Sequence, residues 1–443
     1  MTTVLIFLAV LGFLVVMHEL GHFVTAKLAK VKVLEFGVGF PPRLFGFTRG
    51  ETTYTINALP LGGFVRMLGE EDPTDPRSFA RQRPLTRLGI LAAGAGVNAI
   101  LPVFLLTAVF MLPQQVTVSD VTVMDVAPGS PAAEAGVQPG DFIREAQGDP
   151  LDNSTDLVSA IQARLGADMT WTIERQGESM EVRIPEVRAD PPEGEGSTGI
   201  RLTDARLTLT DVTSGSTAAD FGLMPGDRLL GVTNGGTGPD EIFARVLSES
   251  DFSTAVTAIR EEEPDANIQA MVWRDGDIVS LAVPAAVDEL SGVSVEALPE
   301  ESRSQPIWQA VPSSIGQMWE ILVVFRNEIG RMITGGGGLD IAGPVGIAQI
   351  TGEIAGAGLS PLIMWTALLS INLAIINILP IPALDGGRIT FVLLELIRGG
   401  RRLAPEKEQL VHLVGFALLI TLIVVISIND IQRLLGGGSV TGG

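Results

Sequence analysis

His18, Glu19 and His22 carry the chemistry that this chain advertises most openly. They stand in the stretch Met17-His-Glu-Leu-Gly-His-Phe23, inside an apolar run from about Val4 to Leu28. On a helix, positions i and i+4 share one face, so His18 and His22 can offer two imidazoles to one ion while Glu19 sits beside it. That is the geometry of a zinc hydrolase. The chain has only three histidines, and two fall in this motif. Ionisable side chains inside a membrane span cost several kcal/mol unless they are paired or bound, which adds weight to a metal site. His412, the third histidine, stands at the mouth of a later apolar run and reads as an interfacial residue.

A zinc hydrolase uses three protein ligands and leaves a fourth position for water. The stretch Pro380-Ile-Pro-Ala-Leu-Asp385-Gly-Gly387 offers the third. Its prolines and glycines should unwind a helix where Asp385 appears, and irregular backbone at membrane depth is tolerated only inside protein or beside a water-filled cavity. Glu19 can then take a proton from water and pass it to a leaving amine. The implied reaction is peptide-bond hydrolysis at membrane depth. Asn377, Asn372 and Asn98 are polar groups within spans and candidate substrate contacts; Asn377 is placed to hold backbone groups freed when a substrate helix unwinds.

The elements that must position these residues are apolar. The 443 residues have a positive mean hydropathy, and their apolar residues cluster. Four spans are expected, at about Val4–Leu28, Leu88–Leu112, Leu362–Ala383 and Val411–Ile428. Met1-Thr2-Thr3 is uncharged, unlike the start of a secretory signal, so the first run is retained as a span. Lys27, Lys30, Lys32, Arg43, Arg49, Arg66, Arg77, Arg81, Arg83 and Arg87 fill the first connection, and Arg388, Arg398, Arg401, Arg402 and Lys407 the last. By the positive-inside rule both connections are cytoplasmic, which puts His18, His22 and Asp385 on that side and both termini on the other.

Within the first connection, Val33–Phe47 and Thr52–Met67 alternate apolar and β-forming residues and read as a membrane-associated β-hairpin. Cysteine is absent, which excludes disulfides and thiolate chemistry. The net charge of −21 argues against nucleic acid as a partner. The lipid bilayer is the partner that the hydropathy demands.

The middle of the chain is acidic and repetitive. Val126-Ala-Pro-Gly-Ser-Pro-Ala-Ala-Glu-Ala-Gly136-Val-Gln-Pro-Gly140-Asp141-Phe-Ile143 recurs 86 residues later as Val212-Thr-Ser-Gly-Ser-Thr-Ala-Ala-Asp-Phe-Gly222-Leu-Met-Pro-Gly226-Asp227-Arg-Leu229. Each copy has a strand, a Gly-Ser turn, a short helix, and a Pro-Gly-Asp turn into another strand, and so resembles a PDZ domain. Such domains bind extended C-terminal peptides along a sheet edge. Residues 190–197 read as the linker. Beyond the repeats, Trp308, Val311, Ile315, Met318, Leu322, Phe325, Ile329 and Met332 mark an amphipathic helix. Gly335–Gly338 reads as a break and Gly343–Ala348 as a second turn-rich element. The expected organisation is 1–115, the first two spans with the hairpin; 116–190 and 198–298, two extracytoplasmic PDZ-like α+β domains; 305–358, the amphipathic helix and a Gly-rich connection; and 359–443, the last two spans. The fold class is a polytopic α-helical membrane protein with four transmembrane helices.

In this order, the His18-Glu-Leu-Gly-His22 motif, Gly94-Ala-Gly-Val-Asn98, the tandem repeat and Asn377-Ile-Leu-Pro-Ile-Pro-Ala-Leu-Asp385-Gly-Gly resemble the site-2 protease family, closest to the bacterial regulator of sigma-E protease type. The resemblance covers nearly the whole chain and departs at Ala95, where many members have proline. It implies Zn2+ held by His18, His22 and Asp385, Glu19 as catalytic residue, and an inner-membrane enzyme. It also implies regulated intramembrane proteolysis of single-span proteins, such as anti-sigma factors already trimmed by another protease, or signal-peptide remnants. The PDZ pair would act as a size filter or as a reader of new C-termini. The alternative is a non-catalytic, membrane-anchored PDZ receptor or chaperone with a structural metal site; Glu19, which metal binding does not need, speaks against it.

Overall fold

The uninterrupted apolar run at the N-terminus forms helix α1 (Thr2–Leu28), whose 27 residues exceed the roughly 20 that cross a bilayer. In the computed structural model, residues 2–435 are described apart from 71, 193, 237–241, 286, 288–289, 299, 335–342 and 403. Strands β1 (Val33–Arg49) and β2 (Thr52–Met67) follow. They make more than a simple hairpin. Phe36 pairs with both Tyr54 and Val65, while Phe47 also pairs with Tyr54. The two long strands therefore curl into four segments, ordered 63–67, 33–38, 52–57, 43–49, with the outer two pairings antiparallel and the central one, Glu35–Val38 beside Thr53–Ile56, parallel. Phe23 of α1 meets Phe36 edge-on at 5.4 Å, which seats the sheet against the turn that follows His22. Helix α2 (Pro84–Met111) begins on a proline, whose fixed φ and missing N–H suit a first turn.

After α2 the chain enters a second compact unit, residues 113–303 and 320–338. It opens with β3 (Gln114–Thr117), then β4 (Asp120–Val126), α3 (Pro131–Glu134), β5 (Phe142–Ala146), β6 (Asp149–Pro150), α4 (Ser154–Ala163), β7 (Met169–Arg175), β8 (Glu178–Ile184) and β9 (Ile200–Ala205). The repeat gives β10 (Leu207–Val212), α5 (Thr217–Asp220), β11 (Arg228–Thr233), β12 (Phe243–Arg245), α6 (Glu249–Glu262), β13 (Gln269–Arg274), β14 (Asp277–Ala282) and β15 (Val293–Ala297). β16 (Glu300–Arg303) pairs antiparallel with β3, strapping the two ends of the unit together.

The two sheets have one topology, β8-β7-β5-β4-β9 and β14-β13-β11-β10-β15, with β6 on β5 and β12 on β11. The repeated residues do the same work in each. Ser130 and Ser216 cap the short helices, accepting from Ala133 N and Ala219 N. Asp141 and Asp227 are buried and held by Arg175 and Arg274 through paired bonds of 2.6–2.7 Å, and each arginine also reaches a turn carbonyl, Gly136 O or Gly222 O. The boundary differs from the expected one. Residues 190–197 do not end the first domain, because Ile200 and Leu202 of β9 return to pack on the first core, around Trp171, beside β4. The divide falls at Arg206.

Helix α7 (Ile307–Thr334) is the amphipathic helix. Trp308, Ile315 and Trp319 are exposed, and Ser314 is buried against Thr107 of α2 at 3.0 Å. The side chains of Ile329 and Met332, and residues Gly335–Gly338, lie outside the described residues. The turn-rich element expected at Gly343–Ala348 is instead the start of helix α8 (Pro344–Gly356). Pro344 is in its first turn, where proline initiates rather than breaks, and the buried Asp430 carboxylate accepts Gly346 N–H at 2.9 Å. α9 (Leu359–Ile378), α10 (Asp385–Ile397) and α11 (Pro405–Leu435) complete the chain. The helix break before Asp385 is present, at residues 379–384, but the chain then re-enters a helix that the sequence reading left as loop. α1, α2, α9 and α11 are each long and apolar enough to cross a membrane.

Candidate metal centre

Four helices, α1, α2, α9 and α10, build the centre. Gly21 of α1 lets α2 approach closely, since a Cβ there would collide with Ala93 O. α9 is tied to α2 by Ser370 Oγ, which donates to Asn98 O at 2.8 Å. One turn of α1 separates His18 from His22, and the Nε2 atoms of the two rings lie 3.2 Å apart. The His22 Nδ1–H donates to Ile90 O at 2.8 Å, which fixes the tautomer and turns the Nε2 lone pair inward.

Asp385 is the first residue of α10. Its Oδ2 stands 3.0 Å from His18 Nε2 and 3.1 Å from His22 Nε2. Ligands about 2.0–2.1 Å from a tetrahedral zinc sit about 3.3 Å from one another, so this trio has nearly the spacing that the ion requires. Gly94 of α2 faces it. A Cβ at that position would collide with His22 Nε2 and lie 2.7 Å from His18 Cε1. The space that His18, His22 and Asp385 enclose is thus kept open by a missing side chain. Glu19 is half-buried next to the trio, with its Cγ packed by Gly63 of β2.

The sequence profile of peptidase family M50 matches residues 6–422. The chain belongs to that family. Zinc metalloprotease RasP of Geobacillus kaustophilus is 30% identical, over 97% of this chain and 98% of its own. RasP of Shouchella clausii is 30% identical over 98% of this chain and all of its own, and the regulator of sigma E protease of Salmonella typhi is 28% identical over 97% and 98%. This M50 peptidase is a zinc metalloprotease of the site-2 type, and zinc is its cofactor.

The peptidase places the asparagines unequally. Asn98 Nδ2 lies 3.4 Å from His18 Nδ1, and Asn98 Oδ1 is buried without a partner. A His18 that offers Nε2 to a metal carries its proton on Nδ1 and needs an acceptor there. Turning the Asn98 amide over supplies Oδ1 as that acceptor. Asn98 therefore stands against the ring of His18. Asn377 Nδ2 donates to Leu373 O at 2.9 Å within its own helix, and Asn372 Oδ1 is buried without a partner.

Sequence reasoning missed Ile90 O, a backbone atom with no sequence signal, and the task of Gly94, whose clue was a glycine two turns into a span facing a histidine motif. It also missed the contact of His412, which accepts Ala383 N–H on Nδ1 at 2.9 Å.

Proposed function

We propose that this zinc metalloprotease cleaves single-span membrane proteins within or beside their transmembrane helix, with His18, His22 and Asp385 holding the metal and Glu19 as general base and acid. The observation that carries it is the convergence of Nε2, Nε2 and Oδ2 within 3.2 Å of one another, beside Glu19. When bound, zinc supplies the Lewis acid that acidifies a water and polarises the scissile carbonyl. Glu19 takes that water's proton and returns it to the departing amide nitrogen, while His22 stays fixed by Ile90 O and His18 by Asn98.

A helical substrate hides its amides in i to i−4 bonds and must unwind to be cut. Segment 63–67 is one edge of the curled sheet, and Gly63 brings it to Glu19, so an unwound substrate can add there as a further strand. Exposed Phe40, Leu44, Phe45 and Phe47 suit this sheet to the cytoplasmic face of the bilayer. By the positive-inside rule the basic connections favour a centre toward the cytoplasm, with the repeats and both termini outside. The two repeated sheets act as PDZ-like domains. Their edge strands β9 and β15 read the new C-terminus of a substrate trimmed by another protease or exclude untrimmed ones. Anti-sigma factors fit, in line with the name of the Salmonella relative, as do signal-peptide remnants.

The test is Glu19→Gln in full-length protein reconstituted with a single-span substrate. Zinc stays near one per chain and cleavage falls at least about 100-fold. Cleavage at the unsubstituted rate would remove Glu19 from this role, and absence of cleavage in the unsubstituted protein with every trimmed substrate offered would favour the PDZ receptor.

A further inference from the structure

The backbone that delivers Asp385 is strained, and the strain is local to one turn. Leu384 N–H donates to Ile381 O at 3.2 Å, closing a four-residue turn with Pro382 second and Ala383 third. Ala383 has φ +79°. Proline second and positive φ third define a type II turn, whose third position ordinarily takes glycine or asparagine because a Cβ is disfavoured there. The competing type I turn keeps Pro382 and the Ile381–Leu384 bond but turns the Pro382–Ala383 peptide over, so that Ala383 N–H points the other way. α10 would then start from a different direction.

α11 supplies what selects between the two. His412 Nδ1 accepts the Ala383 N–H at 2.9 Å, which is possible only with the peptide in its type II orientation. Gly415, one turn further along α11, lets Pro382 seat against the helix, since a Cβ there would collide with Pro382 Cβ. Phe391 of α10 meets the His412 ring edge-on at 5.4 Å and fixes its plane. On the far side of the turn, Gly387 admits Ile381 O, which would lie 2.6 Å from a Cβ.

We infer that His412 is a positioning residue for the metal centre: by accepting the Ala383 N–H it holds an otherwise disfavoured type II turn that points Asp385 at His18 and His22. The inference rests on Asp385 being a zinc ligand. His412 acts through Ala383 and is not one of the three proposed ligands.

The experiment is zinc affinity of full-length protein in detergent, by competition with a chromophoric chelator, using zinc alone. His412→Phe keeps a ring against Phe391 and removes the acceptor; affinity is expected to fall about tenfold, the scale of a lost partner behind a metal ligand. Adding Ala383→Gly is expected to recover most of that loss, because glycine takes positive φ unaided. His412→Gln, whose amide oxygen can accept the same N–H, is expected to keep most of the affinity. Unchanged affinity in His412→Phe overturns the inference, and so does a loss that Ala383→Gly does not recover, which would mean that His412 acts through general packing of α11. Asp385→Ala is measured beside these. If it too leaves zinc affinity unchanged, the ligand set falls and the inference with it; if it abolishes binding while His412→Phe does nothing, the inference alone falls.

Discussion

His22 Nε2 and Asp385 Oδ2 lie 3.1 Å apart although 363 positions separate them in the chain. This carboxylate is the proposed third ligand of the zinc ion, and its removal would leave two ligands where three are needed. Zinc measured by atomic absorption on purified protein is expected near one per chain, and to drop below a tenth of that in Asp385→Ala, a loss on the order of tenfold or more. Retention of zinc would remove Asp385 from the centre.

Gly94→Ala adds one methyl group where His22 Nε2 and His18 Cε1 already stand. Alanine favours a helix over glycine by up to about 1 kcal/mol, so α2 itself should not suffer. The expected outcome is a chain that purifies normally and resists heat as before, yet binds zinc at least about tenfold more weakly. Normal zinc affinity would show that the two rings can move aside without cost.

Asn98 distinguishes an orienting role from a substrate contact. Asn98→Leu removes the partner of His18 Nδ1 and should weaken zinc binding by about 10–100-fold, whereas loss of a substrate contact would raise KM with zinc affinity untouched. Asn98→Asp retains an acceptor oxygen and is expected to keep the metal. Chelator competition and substrate titration on the same preparations separate the two cases.

Arg87 and Glu395 form an ion pair between α2 and α10 in which both side chains are more than nine-tenths buried, and Arg402 reaches the second Glu395 oxygen at 3.3 Å. Removing one partner strands a buried charge, so Glu395→Leu alone is expected to cost about 3–5 kcal/mol. Replacing the pair together, Arg87→Met with Glu395→Leu, should recover much of it. Thermal unfolding in detergent reads both, and a double substitution no better than the single would mean that Arg402 is the partner that matters.

The repeated clamp makes a prediction of its own. Asp141→Ala frees Arg175 from a paired, buried bond in the first repeat, and Asp227→Ala frees Arg274 in the second. Each should lower stability by about 1.5–3 kcal/mol, the scale of lost charge-assisted bonds to an arginine that stays partly exposed. Limited proteolysis is expected to open the substituted repeat first, with cuts following whichever aspartate was changed.

Much of this protein is legible in its residues. His18 and His22 share a face because the helical period is a local property of the chain, and the four apolar helices follow from hydropathy in the same way. The repeat predicted two copies of one domain, and the matching pairs Ser130 and Ser216, Asp141 and Asp227 do equal work because equal local sequence meets equal local sterics. Four matters were decided by tertiary structure alone. Strand β9 lies beyond an apparent linker and joins the first sheet because that is where Ile200 and Leu202 can be buried. Pro344 opens a helix rather than breaking one because Asp430 accepts an amide of its first turn, that of Gly346, 84 positions away. The long strands of 33–67 curl into four segments, an arrangement that alternation of residue types cannot specify. Asp385 reaches two histidines because a turn with an alanine at φ +79° is held by His412 from another helix. Spacing and hydropathy are written along the chain, whereas a partner on another helix enters only when packing brings the helices together.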